Sequence, residues 1–389
     1  CINLIDAYLN MQMKKILFII EGLHGGGAEK ALIELLTNFD YERYDVTLCV
    51  IYYGGVYMKQ IPEPVKVLYL YGEKKDYWHE SFRRKTFRYY WKYDSTWLMR
   101  MVIRYKMKQQ HFDAIISFLE GAPLLFHNMM RHCTDRNIAW VHCDLYNYHW
   151  TETVFKTLER EKLHYTNMDE IVFVSRNSMN AFGKLYDINV SKQCIYNIID
   201  VDKIHAKALQ KDVSNQTFTV IAVGRLAKVK GFDRLLRVAK MFKDNGYHLS
   251  FQILGVGEDE QKLLALCDEL CVRDCVTFLG FQNPPYPYIK AADVLISTSE
   301  SEGLPFVICE ALVLGTPVVA TRTAGSAELL EDGKYGLLTG HDDVSIFDGL
   351  KRMVDDSQLR DDFKLKAKVK AEAFDVKQTM QKVYHLIEG

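Results

Sequence analysis

Residues 302–310 read Glu302-Gly303-Leu304-Pro305-Phe306-Val307-Ile308-Cys309-Glu310, with two carboxylates eight positions apart. The apolar run Val294-Leu295-Ile296-Ser297 just before them predicts a strand. Ile308 to Leu314, closed by Gly315 and Pro317, predicts a helix. Eight residues are a little over two helical turns, so both acids fall on roughly one side of the helix start. The backbone N–H groups between them have no partner within a helix. Such a start suits a ligand that places a phosphate there and hydroxyl-bearing groups on either side, which is the chemistry of a nucleotide sugar.

Outward from this stretch, strand-like apolar runs alternate with helical periodicity. In the first half the predicted strands are Ile16–Ile20, Val46–Tyr52, Val65–Leu70, Ala114–Phe118, Ile138–Val141 and Ile171–Val174. Helices are predicted over Ala28–Asn38, Thr96–Lys108, Glu152–Asn167 and Arg176–Lys184. Polar residues Lys203 to Gln216 read as a linker. The pattern then restarts with strands Thr219–Val223, Leu249–Leu254, Val276–Leu279, Val294–Ser297 and Val318–Ala320. The fold class is therefore α/β, two Rossmann-like domains with parallel sheets, residues 13–200 and 201–375, sharing one cleft at the carboxyl ends of their strands.

Composition agrees. A chain of 389 residues exceeds one typical core, and 48% hydrophobic with 25% charged residues is usual for a soluble globular protein. A net charge of −1 argues against a dedicated nucleic-acid binder, and no apolar run reaches membrane-spanning length. Cys1 to Gln12 lack a basic start and carry Asp6, unlike a signal peptide, whereas Met13-Lys14-Lys15 reads as a natural start. Nine scattered cysteines fit reduced cytosolic thiols. Cys267, Cys271 and Cys275 have helix-face spacing, but Cys275 adjoins a strand and no histidine joins them, so no metal site is expected.

Between the third and fourth strands lies an insert, Lys74 to Lys108, with eleven Lys or Arg against three acids, a local charge of +8. Aromatic residues are interleaved, among them Phe82, Trp91, Tyr93 and Trp97. Basic and aromatic residues on a helical segment suit an anionic membrane surface. The other reading is an amphipathic helical pair whose lysines snorkel over core aromatics.

Three further segments carry candidate chemistry. His24-Gly25-Gly26-Gly27-Ala28-Glu29 runs into a helix, and its glycines allow close backbone approach to a ligand or simply a tight turn. It is not the dinucleotide pattern, because Lys30 stands where the last glycine belongs. In Val223-Gly224-Arg225-Leu226-Ala227-Lys228-Val229-Lys230-Gly231, Arg225 and Lys230 can reach two phosphates of a diphosphate from one side; the alternative is a solvated basic loop. Leu254-Gly255-Val256-Gly257 and Phe278-Leu279-Gly280-Phe281 end consecutive strands, where backbone can meet a flat base.

Taken in order, Gly224-Arg225 with Lys230-Gly231, Leu254 to Gly257, Ser299 to Pro305, Glu310-Ala311 and Gly315 to Ala320 resemble the group 1 glycosyltransferases, the retaining family 4 with the GT-B fold. Gly25 to Glu29 and Asn197-Ile198-Ile199-Asp200 are similar to the same family, and the match runs from Lys14 onward. The resemblance implies that Glu310 holds the ribose and Glu302 lies by the donor sugar. It also implies that amides of Phe306 and Val307 hold the diphosphate, with Arg225 and Lys230 on its phosphates. His142, in Trp140-Val141-His142-Cys143-Asp144, resembles the histidine that contacts the donor sugar. Gly26, Gly27, Gly224, Gly255, Gly257, Phe281, Gly303, Leu304 and Pro305 would line the rest of the donor site. No metal and no cofactor are implied, and Asp200-Val201-Asp202 reads as turn chemistry. Residues 376–389 would form a helix crossing back to the first domain.

The expected function is metal-independent transfer of a hexosyl group from a nucleotide-diphosphate donor, a UDP-sugar, to a glycan acceptor. Given the insert, that acceptor is expected to be lipid-linked, at the inner face of the cytoplasmic membrane, in capsule, O-antigen or envelope synthesis. The alternatives are a non-catalytic nucleotide-sugar-binding partner of another transferase, or a GT-B relative such as a nucleotide-sugar epimerase or a phosphorylase.

Overall fold

The structure, a computed structural model, describes residues 13–72 and 77–389, with side chains over 13–72 and 81–389. The reading of residues 1–12 lies outside them, as do Lys74, Lys75 and Asp76 of the insert and the side chains of Tyr77, Trp78 and Glu80.

Two parallel sheets organise the chain. The first holds β1 (Lys14–Ile20), β2 (Tyr44–Val50), β3 (Lys66–Tyr69), β4 (Ala114–Ser117), β5 (Asn137–Val141), β6 (Glu170–Phe173) and β7 (Ser191–Cys194), in the order β3-β2-β1-β4-β5-β6-β7. The second holds β8 (Thr219–Val223), β9 (Ser250–Leu254), β10 (Val276–Gly280), β11 (Val294–Ser297), β12 (Val318–Thr321) and β13 (Leu337–Thr339), in the order β10-β9-β8-β11-β12-β13. Helices cover both faces, so the central strands are apolar on both sides: Ile16 to Ile20 are all fully buried. Each sheet reverses its order once, between β1 and β4 and between β8 and β11. Loops leaving the strands at such a point splay apart and open a crevice. The segments after β1, β4, β8 and β11 are therefore where a ligand belongs, and the two glutamates follow β11.

The last helix, Val376–Glu388, returns to the first sheet's domain. Tyr384 stacks on Tyr44 with ring centres 5.3 Å apart, Glu388 accepts from the Tyr44 hydroxyl at 2.6 Å, and Arg136 Nε donates to the Leu386 carbonyl at 2.6 Å.

Three expectations need correction. The polar stretch after Asp200 begins as a helix, Val201–Ala208: the Asp200 carboxylate caps it by accepting from the Lys203 N–H at 2.9 Å, and Ile204 and Ala208 are buried. The helix read over residues 152–167 is two, Glu152–Phe155 and Leu158–Thr166, broken at Lys156 with φ 70°. The insert needs none, being a helical pair as one of its readings had it, Tyr77–Tyr93 and Trp97–Lys106. Strands β7 and β13 were not expected, because edge strands are short and need no apolar run; β7 reads Ser-Lys-Gln-Cys.

One core feature carries a pH consequence. His127 is fully buried between Ser117 Oγ at 3.1 Å and Asn137 Oδ1 at 3.2 Å. Burial pushes its pKa down to about 3, against the Asn137 hydrogen bond, and the Arg131 charge pushes the same way as burial. An unfolded histidine titrates near 6.5, so below that pH the unfolded chain binds a proton that the native state refuses, and stability falls with pH. Between pH 7 and 5 His127 alone should cost roughly 2 kcal/mol. The melting temperature of a His127→Asn variant should drop less over that interval than that of the unmodified chain; parallel pH profiles would contradict this.

Candidate active site

The two glutamates are neutralised by lysines of different domains. Glu302, in the loop after β11, has Oε1 2.5 Å from Lys230 Nζ and accepts from Ser299 Oγ at 2.8 Å. Glu310, with a side chain 5% exposed, pairs with Lys30 on helix Gly27–Thr37 of the first domain. Lys30 also donates to the Tyr286 hydroxyl at 3.2 Å and lies within 5.5 Å of the ring centres of Tyr286 and Phe306. Burial disfavours the Lys30 ammonium, but the charge and hydrogen bond of Glu310, with the Tyr286 oxygen, outweigh it and hold the pKa above the usual lysine value.

Between the acids, helix Phe306–Leu314 starts at Pro305 with no side-chain cap. Its first turn therefore presents orphan N–H groups, Phe306 and Val307 among them. Leu304 and Phe306 are buried. Glycine permits the crowding around this start: a Cβ on Gly303 would lie 2.1 Å from the His142 carbonyl oxygen, so the loops after β11 and β5 touch across the domain boundary.

The β8 loop carries Arg225 and Lys230. It is tied to the β11 loop by Glu300 N–H donating to the Val229 carbonyl at 2.8 Å and Thr298 Oγ1 donating to that of Gly231 at 2.8 Å. Arg225 is exposed and makes no hydrogen bond or ion pair among the described residues; its charge is felt by Glu21 at the end of β1. Gly255 and Gly257 face the same loop, where added Cβ atoms would strike the carbonyls of Gly224 and Leu226 at 1.8 and 2.3 Å. Their lack of side chains serves loop packing. Phe281 is exposed at the end of β10.

Around Gly26 and Gly27 the chain supplies its own acceptor. Glu29 folds back to accept from the Gly25 N–H at 2.7 Å and from that of Gly26, a capping-box arrangement. The Gly25 and Gly26 amides are thus taken by the chain, and Gly27 packs near the Phe306 ring. His142 lies beside Phe118, with ring centres 4.7 Å apart, and its Nε2 is enclosed without a hydrogen-bond partner. Burial lowers its pKa to about 3, which keeps the imidazole neutral. Its backbone N–H donates to the buried carboxylate of Glu120 at 2.9 Å.

The sequence reading missed Lys30, Ser299 and Glu120. Lys30 had a signal: it occupies the first turn of a helix, where the macrodipole disfavours a cation, so an acid from elsewhere had to compensate. Glu120 had none, since its role follows from β4 and β5 being neighbours. The Lys30–Glu310 pair is enclosed enough that removing one partner leaves an uncompensated charge, at a cost on the order of 3–5 kcal/mol. Lys30→Met should lower stability in urea by about that much, and adding Glu310→Gln should restore part of it. A single-variant loss within the about 0.5 kcal/mol of an ordinary surface change would contradict the pairing.

Comparison with known proteins places this geometry. Residues 205–370 match the family model described as glycosyl transferases group 1. The chain is 36% identical over 216 residues to a Campylobacter jejuni N-acetylgalactosamine-N,N'-diacetylbacillosaminyl-diphospho-undecaprenol 4-alpha-N-acetylgalactosaminyltransferase, an alignment spanning 55% of this chain and 58% of the relative. It is 25% identical over 377 residues to an uncharacterized glycosyltransferase of Haemophilus influenzae, covering 95% of this chain and 98% of that one. Among solved structures, Anabaena Alr3699/HepE in complex with UDP-glucose superposes with a TM-score of 0.77 at 21% identity, over 97% of this chain and all of the other. Residues 205–370 thus match the group 1 glycosyltransferases, and the chain as a whole has the two-domain GT-B fold of the superposed structure.

Proposed function

We propose that this protein transfers a sugar, with retention, from a UDP-sugar donor to a glycan acceptor. The observation that carries the reading is the uncapped start of helix Phe306–Leu314 at a sheet switch point, with Glu302 and Glu310 on its flanks and Lys230 against Glu302. Amides and helix dipole there favour a diphosphate. Glu310 is then in place for the ribose hydroxyls and Glu302 for the donor sugar. Lys230 exchanges Glu302 for phosphate when the donor enters, and exposed Arg225 supplies the second charge. These cations stabilise the leaving diphosphate, where negative charge develops in the transition state. The departing phosphate takes the acceptor proton on the face it leaves, and neither a metal nor a cofactor is required. The enclosed, unpaired Nε2 of neutral His142 is available to a sugar hydroxyl, since a buried ring nitrogen without a partner is costly.

The acceptor is proposed to be lipid-linked, in envelope polysaccharide synthesis at the inner face of the cytoplasmic membrane. The Campylobacter relative's name describes an acceptor joined to diphospho-undecaprenol. The insert supports the same reading. Trp91, Tyr93, Trp97, Met101 and Tyr105 are exposed, Tyr105 by 81%, beside exposed Arg88, Lys92, Arg100 and Arg104. Aromatics serving the core would be buried, as Tyr90 is.

A thermal-shift panel of nucleotide sugars should show stabilisation by UDP and a UDP-sugar. With the donor so found, Glu302→Gln should abolish transfer and donor hydrolysis, and Arg225→Ala should slow turnover by about 10²–10³-fold. Binding without turnover by the unmodified protein would instead mark a non-catalytic partner, and unchanged turnover in Glu302→Gln would remove the role given to that acid. For the membrane, the protein should float with anionic vesicles, and a variant with Arg88, Lys92, Arg100 and Arg104 changed to Glu should not; equal recovery of both in the soluble fraction would refute attachment through the insert.

A further inference from the structure

The loop joining β5 to helix Glu152–Phe155 is anchored by three buried carboxylates, yet its tip exposes two aromatic rings. Glu120, 2% exposed, accepts from the His142 N–H at 2.9 Å and from Trp150 Nε1 at 3.3 Å, so it holds both ends. Asp144, 1% exposed, accepts from the N–H groups of Tyr146 and Asn147 at 3.1 Å each and from Asn147 Nδ2 at 2.6 Å. Glu161, fully buried, accepts from Thr151 Oγ1 at 2.8 Å and faces His149 Nε2 at 2.7 Å. Gly121 leaves room for the Trp150 ring, which a Cβ would meet at 2.8 Å. Between these anchors Tyr146 and Tyr148 are 51% and 42% exposed.

We propose that Tyr146 and Tyr148 form a platform for the acceptor saccharide. This rests on the transferase reading and names the place of its second substrate. Position is the first argument: His142 touches Gly303 at the candidate donor site, and Tyr146 follows four residues later, a chain reach of at most about 14 Å. Economy of structure is the second. Ordering an exposed loop costs about 1–2 kcal/mol per residue, and carboxylates are costly to bury. Three of them tie down a segment whose own tip buries neither tyrosine ring. Chemistry is the third: a tyrosine offers an apolar face for the C–H face of a pyranose and a hydroxyl for its oxygens, with few rotors to immobilise. Lys184 Nζ lies 5.8 Å from the centre of the Tyr146 ring.

The test uses the full chain saturated with the donor from the thermal-shift panel and, as acceptor probes, p-nitrophenyl α- and β-glycosides of glucose, galactose and their N-acetyl forms. The Tyr146→Ala/Tyr148→Ala variant should melt with the unmodified protein and keep its thermal shift with UDP. Its acceptor KM should rise about tenfold or more, and Phe at both positions should recover much of that loss because the ring faces remain. An acceptor KM unchanged in the double alanine variant, while UDP still binds, overturns the platform and leaves the transferase reading standing. Loss of vesicle flotation with acceptor KM unchanged overturns it too and assigns the tyrosines to the membrane. Absence of any UDP shift in the unmodified protein removes the transferase reading, and the platform with it.

Discussion

Glu310 sits in the second domain, and the ammonium that balances it sits in the first. A carboxylate this enclosed needs a partner, and Lys30 reaches it across the domain boundary. Much around the cleft depends on that approach. Helix Gly27–Thr37 must point its first turn at helix Phe306–Leu314, which it does because Glu29 caps it and frees Lys30 to face outward. The Gly303 backbone must come against His142. A second carboxylate makes the same kind of crossing: Glu328 accepts from the N–H groups of Arg176 and Asn177, at 2.9 and 2.7 Å, capping a first-domain helix from the second domain. Both contacts join a second-domain carboxylate to a first-domain cation or to helix N–H groups, so they tie the two domains together.

The same ion pairs bear on chemistry. Each acid flanking the uncapped helix start is paired with and oriented by a lysine, and in the proposed donor complex Lys230 would exchange its carboxylate for a phosphate. On the proposed reading, a diphosphate at the helix start would draw Lys230 from Glu302, whose carboxylate would then accept hydrogen bonds from the sugar hydroxyls. His142 is held neutral by burial, so its unpaired Nε2 brings no charge to the site. The proposed arrangement would gather positive charge where the leaving group forms.

Most of the architecture could be read from the sequence, because buried parallel strands demand apolar runs and the crevice follows from where those strands end. The signals failed where a residue's role is set by a neighbour distant in the chain. Lys30 looked like a mismatch in a glycine motif until Glu310, 280 positions away, explained it. Gly255 and Gly257, read as places where backbone meets a ligand, also make room for the carbonyls of Gly224 and Leu226, which the sequence alone does not show. The edge strand Ser191–Cys194 is polar and carried no periodic signal. Helix Val201–Ala208 hid in a polar stretch, although its capping Asp200 was visible.

The central claim is that the helix start between Glu302 and Glu310 receives a nucleoside diphosphate. A crystal structure with UDP bound tests it most directly. The account predicts the diphosphate at the amides of Phe306 and Val307, the ribose hydroxyls on Glu310, and Lys230 moved from Glu302 to a phosphate. UDP seated elsewhere, with Lys230 still on Glu302, would contradict it.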